Sequence, residues 1–178
     1  MFAPAVVRAI IVSVLTKLME LAGFFTAHAV WTVSLQQGPL APILVTEEEG
    51  ERSMTRFDKE ASMELAVAKA QDLLNSNSAE AARGIILYDA FVTLDEERCD
   101  AIIVQGLDHE SGLLKLEIIQ PYRPPNAPGG FAVMQPKVSF PEGQVEHADA
   151  LIEAFFEGLD SHEEGGPLWT QSIVAARA

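Results

Sequence analysis

The middle third of the chain restricts its fold more than any other stretch. Three segments, Gly84 to Leu94, Asp100 to Leu107 and Leu113 to Gln120, carry apolar side chains at the two-residue period of a β-strand. The third is the cleanest, with Leu114, Leu116 and Ile118 on one side and Lys115 and Glu117 on the other. The links between them, Asp95-Glu96-Glu97-Arg98 and Asp108-His109-Glu110-Ser111-Gly112, are too short for a crossover helix. Neighbouring strands must then run antiparallel, as a meander.

The flanks supply helices and further strands. Residues Ala5 to Phe25 are mostly apolar, but Arg8, Lys17 and Glu20 interrupt them. On a helix, Arg8, Thr16 and Glu20 share one side, while Val7, Ile10, Ile11, Val14, Leu15, Leu18 and Leu21 cover the other. A charge near a membrane centre costs roughly 2.5–3.5 kcal/mol, so an amphipathic core or interface helix is expected, and membrane insertion is not. Trp31, Val33 and Leu35 alternate with Thr32 and Ser34, which predicts a strand over His28–Leu35. A turn at Gln36-Gln37-Gly38-Pro39 would return it through Ile43-Leu44-Val45-Thr46 as a hairpin. Glu47-Glu48-Glu49-Gly50-Glu51 reads as a solvated loop.

Asp58 to Leu74 has helical spacing at Met63, Val67, Ala70 and Leu74, with Asp58 as the expected N-cap and Asn75-Ser76-Asn77-Ser78 as the stop. Pro121 to Gly130 is an irregular crossing rich in proline and glycine. Phe131 to Phe140 is a further strand, limited to an edge or broken by Pro136 and closed by Pro141 and Gly143. His147 to Leu159 is a third helix, burying Leu151, Ile152, Phe155, Phe156 and Leu159.

The resulting class is α+β, an antiparallel sheet of five to six strands with helices packed on it, in the order αββαβββ(β)α. That order is similar to profilin-like or roadblock-like domains, and the resemblance implies a dimerising scaffold, a sensor or a chaperone-like binder rather than a catalyst. Residues 1–160 are expected to form a single α+β domain. Residues 161–178 should comprise an acidic linker and an apolar segment, Leu168 to Ala176, that docks on the domain or on a second subunit.

Charge narrows the function classes. The 178 residues carry a net charge of −14. From Val138 onward Glu142, Glu146, Asp149, Glu153, Glu157, Asp160, Glu163 and Glu164 face one base, Arg177. Such a surface repels phosphate backbones, so nucleic acid is not an expected partner, whereas a basic protein is. Cys99 is the single cysteine, which fits a reducing cytoplasm. Export is the alternative localisation if residues 1–29 are a signal peptide.

Motifs for nucleotide, zinc and hydrolase sites are absent from the sequence: there is no Gly-x-Gly-x-x-Gly, Walker-type loop, His-Glu-x-x-His, Cys-x-x-Cys or Gly-x-Ser-x-Gly. Cys99 and the nearest imidazole in sequence, His109, sit at opposite ends of one predicted strand, roughly 30 Å apart, and carboxylates surround the thiol, so no thiol dyad is expected. His147 and Asp149 lie about 15–20 Å of helix away from Asp160, His162, Glu163 and Glu164, so neither a metal nor another cofactor is expected. Loops on a rigid scaffold carry function disproportionately, which draws attention to Tyr122 and Arg123. With Tyr88, Asp89 and Lys137 they are candidates for a small polar pocket or recognition patch, and Trp169 is a candidate docking anchor. Sequence alone therefore points to a non-enzymatic interaction module that forms a homo-oligomer. The alternative is a small-molecule-binding domain or enzyme around Tyr88, Asp89, Tyr122 and Arg123.

Overall fold

A computed structural model describes residues 4–35, 38–111, 114–140 and 147–174. The first helix, α1, is Pro4–Leu35. It extends through the segment expected to be a strand, because no glycine or proline interrupts the chain between Gly23 and Gly38. The Thr26 and Thr32 hydroxyls donate to the carbonyls of Ala22 and His28 one turn earlier, which satisfies them inside the helix. The stretch Val12–Leu35 is long and apolar enough to cross a membrane by length and composition, and most of it is buried in the fold. Gln36 and Gln37 of the expected turn lie outside the described residues.

The hairpin exists, displaced along the chain. It pairs β1, Ile43–Glu48, with β2, Glu51–Arg56. The acidic run is therefore mostly strand, and Glu49-Gly50 forms its two-residue turn, both residues at positive φ. Helix α2 is Met63–Ser76, with Ser62 rather than Asp58 as N-cap. Asn77 ends it in the left-handed conformation, and its side-chain amide both donates to and accepts from the Ala81 backbone. The meander follows as β3 Arg83–Leu94, β4 Glu97–Asp108 and β5 Leu114–Arg123. Its first turn is tighter than expected: Asp95 and Glu96 alone make it. Gly112 and Leu113 of the second connection lie outside the described residues.

Residues Pro121 to Arg123 belong to β5, so the irregular crossing starts later than the sequence suggested. The last strand is broken, as Pro136 implied, into β6 Ala132–Val133 and β7 Lys137–Ser139, both paired to β5. Pro141, Glu142, Gly143 and Glu146 fall outside the described residues. Helix α3 is Ala148–Asp160, and α4 is Gly165–Ser172. Helix begins inside the stretch expected to be linker. Beyond it, the Val174 amide donates to the Val133 carbonyl, tying the chain to β6.

The sheet runs β2-β1-β3-β4-β5-β6, with β7 also on β5. Both its faces are covered. Ile43, Val45, Ile85, Leu87, Ile102, Val104, Leu116 and Ile118 join α1, α3 and α4 in the larger core. Leu44, Ile86 and Leu107 meet Ala66, Ala70 and Leu74 of α2 on the other face. One end of the first face carries a buried ionic row, Glu47, Arg83 and Asp108. Arg83 Nη1 lies 2.5 Å from Glu47 Oε1 and Nε lies 3.7 Å from Asp108 Oδ2.

Candidate functional site

The sequence-selected residues separate into distinct places. Asp89 and Tyr122 meet on the α1 face, where the Tyr122 hydroxyl donates to Asp89 Oδ2 at 2.7 Å and the Leu40 amide donates to the same oxygen at 3.0 Å. Burial raises the pKa of both, and in Tyr122 the Asp89 partner adds to the rise. Tyr88 is on the opposite face, packed against the α2 cluster, where burial raises its phenol pKa. Arg123 folds back on its own loop, donating from Nε to the Gly130 carbonyl at 2.6 Å and from Nη2 to the Gly129 carbonyl at 3.0 Å. Lys137 is exposed in β7, opposite Ile119. Trp169 is buried in α4; its Nε1 donates to Gln120 Oε1 at 2.9 Å and its ring meets Phe156 edge-on. Cys99 lies in β4 opposite Val92, and burial followed by the charge of Asp100 raises its thiol pKa. An open groove of about 730 Å³ runs between α2 and the β4–β5 surface, lined by Gln71, Leu74, Gln105, Leu107, Lys115 and Glu117 among others.

The denser convergence of chemistry is at the seam between α1 and the α3–α4 junction. Three glycines bring the backbones together there. A methyl group on Gly23 would collide with the Phe155 carbonyl, one on Gly158 with the Glu20 carbonyl, and one on Gly165 with the Ala27 carbonyl. This close approach sets His28, on α1, against His162, in the junction. His28 Nδ1 lies 3.2 Å from His162 Nε2, although 134 residues separate them. Phe24 and Trp31 flank the pair, with ring centroids 4.9 and 6.2 Å from His162. The Arg52 guanidinium, from β2, sits 5.0 Å over the Phe24 ring.

Hydrogen-bond logic assigns the tautomers. The Gly165 amide lies 3.0 Å from His162 Nδ1 and can only donate, so Nδ1 is an acceptor. A neutral His162 then carries its proton on Nε2 and donates it to His28 Nδ1. His28 in turn carries its own proton on Nε2. A metal at His162 Nε2 would need that nitrogen's lone pair and would move the proton to Nδ1, against the Gly165 N–H. Among the described residues, no group of three or more His, Cys, Asp or Glu is placed to hold a metal ion. Burial lowers the pKa of His28, with help from His162 and Arg56, and Glu164 opposes the shift. Glu164 Oε2 also lies 3.6 Å from His162 Nδ1, too far for a hydrogen bond as the site stands.

Sequence reading placed His162 in an acidic tail and His28 at the start of a strand, so it missed the pair. One signal was available: an unbroken run from Phe24 to Leu35 that helix could continue through. These features define an α+β protein with an antiparallel sheet covered on both faces. No protein-family model, curated protein or solved structure matches the chain, so the likeness to profilin- or roadblock-like domains is one of element order alone.

Proposed function

We propose that the chain is a protein-interaction module that pairs with a second copy of itself along β2. The observation carrying this reading is the outer edge of β2, which pairs with no further strand among the described residues. All six residues of β2 are exposed, none is proline, and Met54 is 48% exposed. An unpaired strand edge of this kind is a template for another strand.

The sequence of β2 selects a register. In a two-fold antiparallel pairing one residue lies opposite its own copy. With Met54 on the axis Arg52 would face Arg56, and with Arg52 or Glu51 there each would face itself; like charges directly opposite are unfavourable. Ser53 on the axis gives the longest pairing free of that conflict, with Glu51 facing Thr55 and Arg52 facing Met54. The outward side of α3 adds a surface for a basic protein partner, because Asp149, Glu153, Glu157 and Asp160 recur at helical spacing and are all exposed.

Sedimentation equilibrium tests the pairing directly: a dimer is expected, and a strict monomer at tens of micromolar overturns it. Cysteine cross-linking in a Cys99→Ser background tests the register. Ser53→Cys should yield an oxidised dimer. Glu51→Cys should not, because its two copies would stand about 13 Å apart along the strands; equal cross-linking of both would reject the Ser53 register.

A further inference from the structure

Every proton-accepting nitrogen of the histidine pair already has a partner, so an added proton must displace one. His28 Nδ1 accepts from His162 Nε2, and the positive side chain of Arg56, from β2, opposes charge on His28. His162 Nδ1 accepts from the Gly165 amide, but a carboxylate, Glu164, stands 3.6 Å away on that side. Arg52, over the Phe24 ring, is a further charged group beside the cluster. The aromatic neighbours from α1, namely Phe24, Phe25 and Trp31, are uncharged.

We propose that His162 is an acid-operated latch on α4: a proton taken up at Nδ1 exchanges the Gly165 amide for the Glu164 carboxylate and releases the helix. His162 keeps its Nε2–H bond to His28 in this exchange, and the bond becomes charge-assisted. Glu164 accepts the new Nδ1–H. The Gly165 N–H loses its acceptor and faces another N–H head-on. It also heads α4, whose N-terminal dipole repels the imidazolium. Gly165 has little room to retreat toward α1, because even a methyl group on its α-carbon would collide with the Ala27 carbonyl. The first turn of α4 must therefore move outward, taking with it Trp169, its bond to Gln120 and its packing on Phe156.

The sign of the pH dependence follows. The docked state is the one with a neutral pair, so release accompanies proton uptake and docking is recovered as pH rises. His28, whose pKa is lowered by burial first, contributes in the same direction.

Trp169 reports the motion once Trp31 is removed. In a Trp31→Phe protein, acrylamide quenching of Trp169 is expected to rise reversibly, several-fold, between about pH 7.5 and about pH 5. His162→Asn keeps an acceptor near the Nδ1 position for Gly165 but takes up no proton, and should abolish the rise. Glu164→Gln removes the receiving charge and should move the transition to lower pH. Should His162→Asn fail to fold, amide hydrogen exchange of the parent decides. Protection in α4 should fall roughly tenfold or more at the acid end, while Ala66 and Ala70 of α2 keep theirs. Quenching that stays flat in the parent, a transition unchanged by His162→Asn, or protection lost equally in α2 and α4 would overturn the latch.

Discussion

The two faces of the sheet are built on different terms, and strand β3 shows both. Ile85 and Leu87 point into a layer where α1 lies across the sheet and α3 and α4 close over α1. Ile86 and Tyr88, from the same strand, join a smaller cluster with α2 and the Phe57 ring. The first face buries a helix on nearly all sides, held at backbone contact by Gly23, Gly158 and Gly165. The second is a thinner cover, made by one helix through Ala66, Ala70, Leu73 and Leu74, with the Phe57 ring beside it. Stability should therefore concentrate on the α1 face, while α2 remains the weaker layer.

The largest expected effect breaks that comparison most directly. Phe155 is fully buried between α1 and α3, and Phe155→Ala should cost about 3–5 kcal/mol of unfolding free energy. Leu74→Ala on the α2 face should cost about 2 kcal/mol, at the low end for a buried leucine, because α2 can settle onto the sheet. Denaturant titration of both variants compares them. Equal losses would mean that the two faces carry equal weight.

Gly158→Ala sharpens the same contrast by adding volume rather than removing it. The new methyl would lie inside the Glu20 carbonyl, a backbone atom that no rotamer change can move aside. Forcing α1 and α3 apart should cost about 1–3 kcal/mol, despite the better helix propensity of alanine. If this variant were as stable as the parent, or more so, the close approach would not be what sets the seam.

The contrast between faces also explains which elements the sequence made legible. The meander was readable because β3, β4 and β5 each alternate and turns between them are short. The far half of α1 was not. A helix buried on several sides loses the polar stripe that marks helical periodicity, and Trp31, Val33 and Leu35 then resemble a strand. Strand β2 failed for the opposite reason: an edge exposed on every residue has no apolar alternation to detect. Asp89 and Tyr122 were chosen for their chemistry and do meet, but Tyr88 and Arg123 sit elsewhere, since successive strand residues point to opposite faces. The His28–His162 pair has no local signature at all. Its existence depends on three glycines on different elements allowing two backbones to touch.

Phe91 marks where the first face ends and should give the smallest effect. It shares that face with Ile85 and Leu87, yet it is 63% exposed, because β3 and β4 run on past the helices that cover their bases. The Arg98 guanidinium lies over it, 3.9 Å from the ring centroid. Such exposed cation–π pairs contribute about 0.5–1 kcal/mol, and Phe91→Ala relieves an exposed apolar surface at the same time. The net change in stability should be no more than about 0.5 kcal/mol. A loss above about 2 kcal/mol would require the ring to be covered. If that loss grew with protein concentration, the cover would be another copy of the chain gripping the hairpin tip, and the layer of helices would no longer mark the limit of the first face.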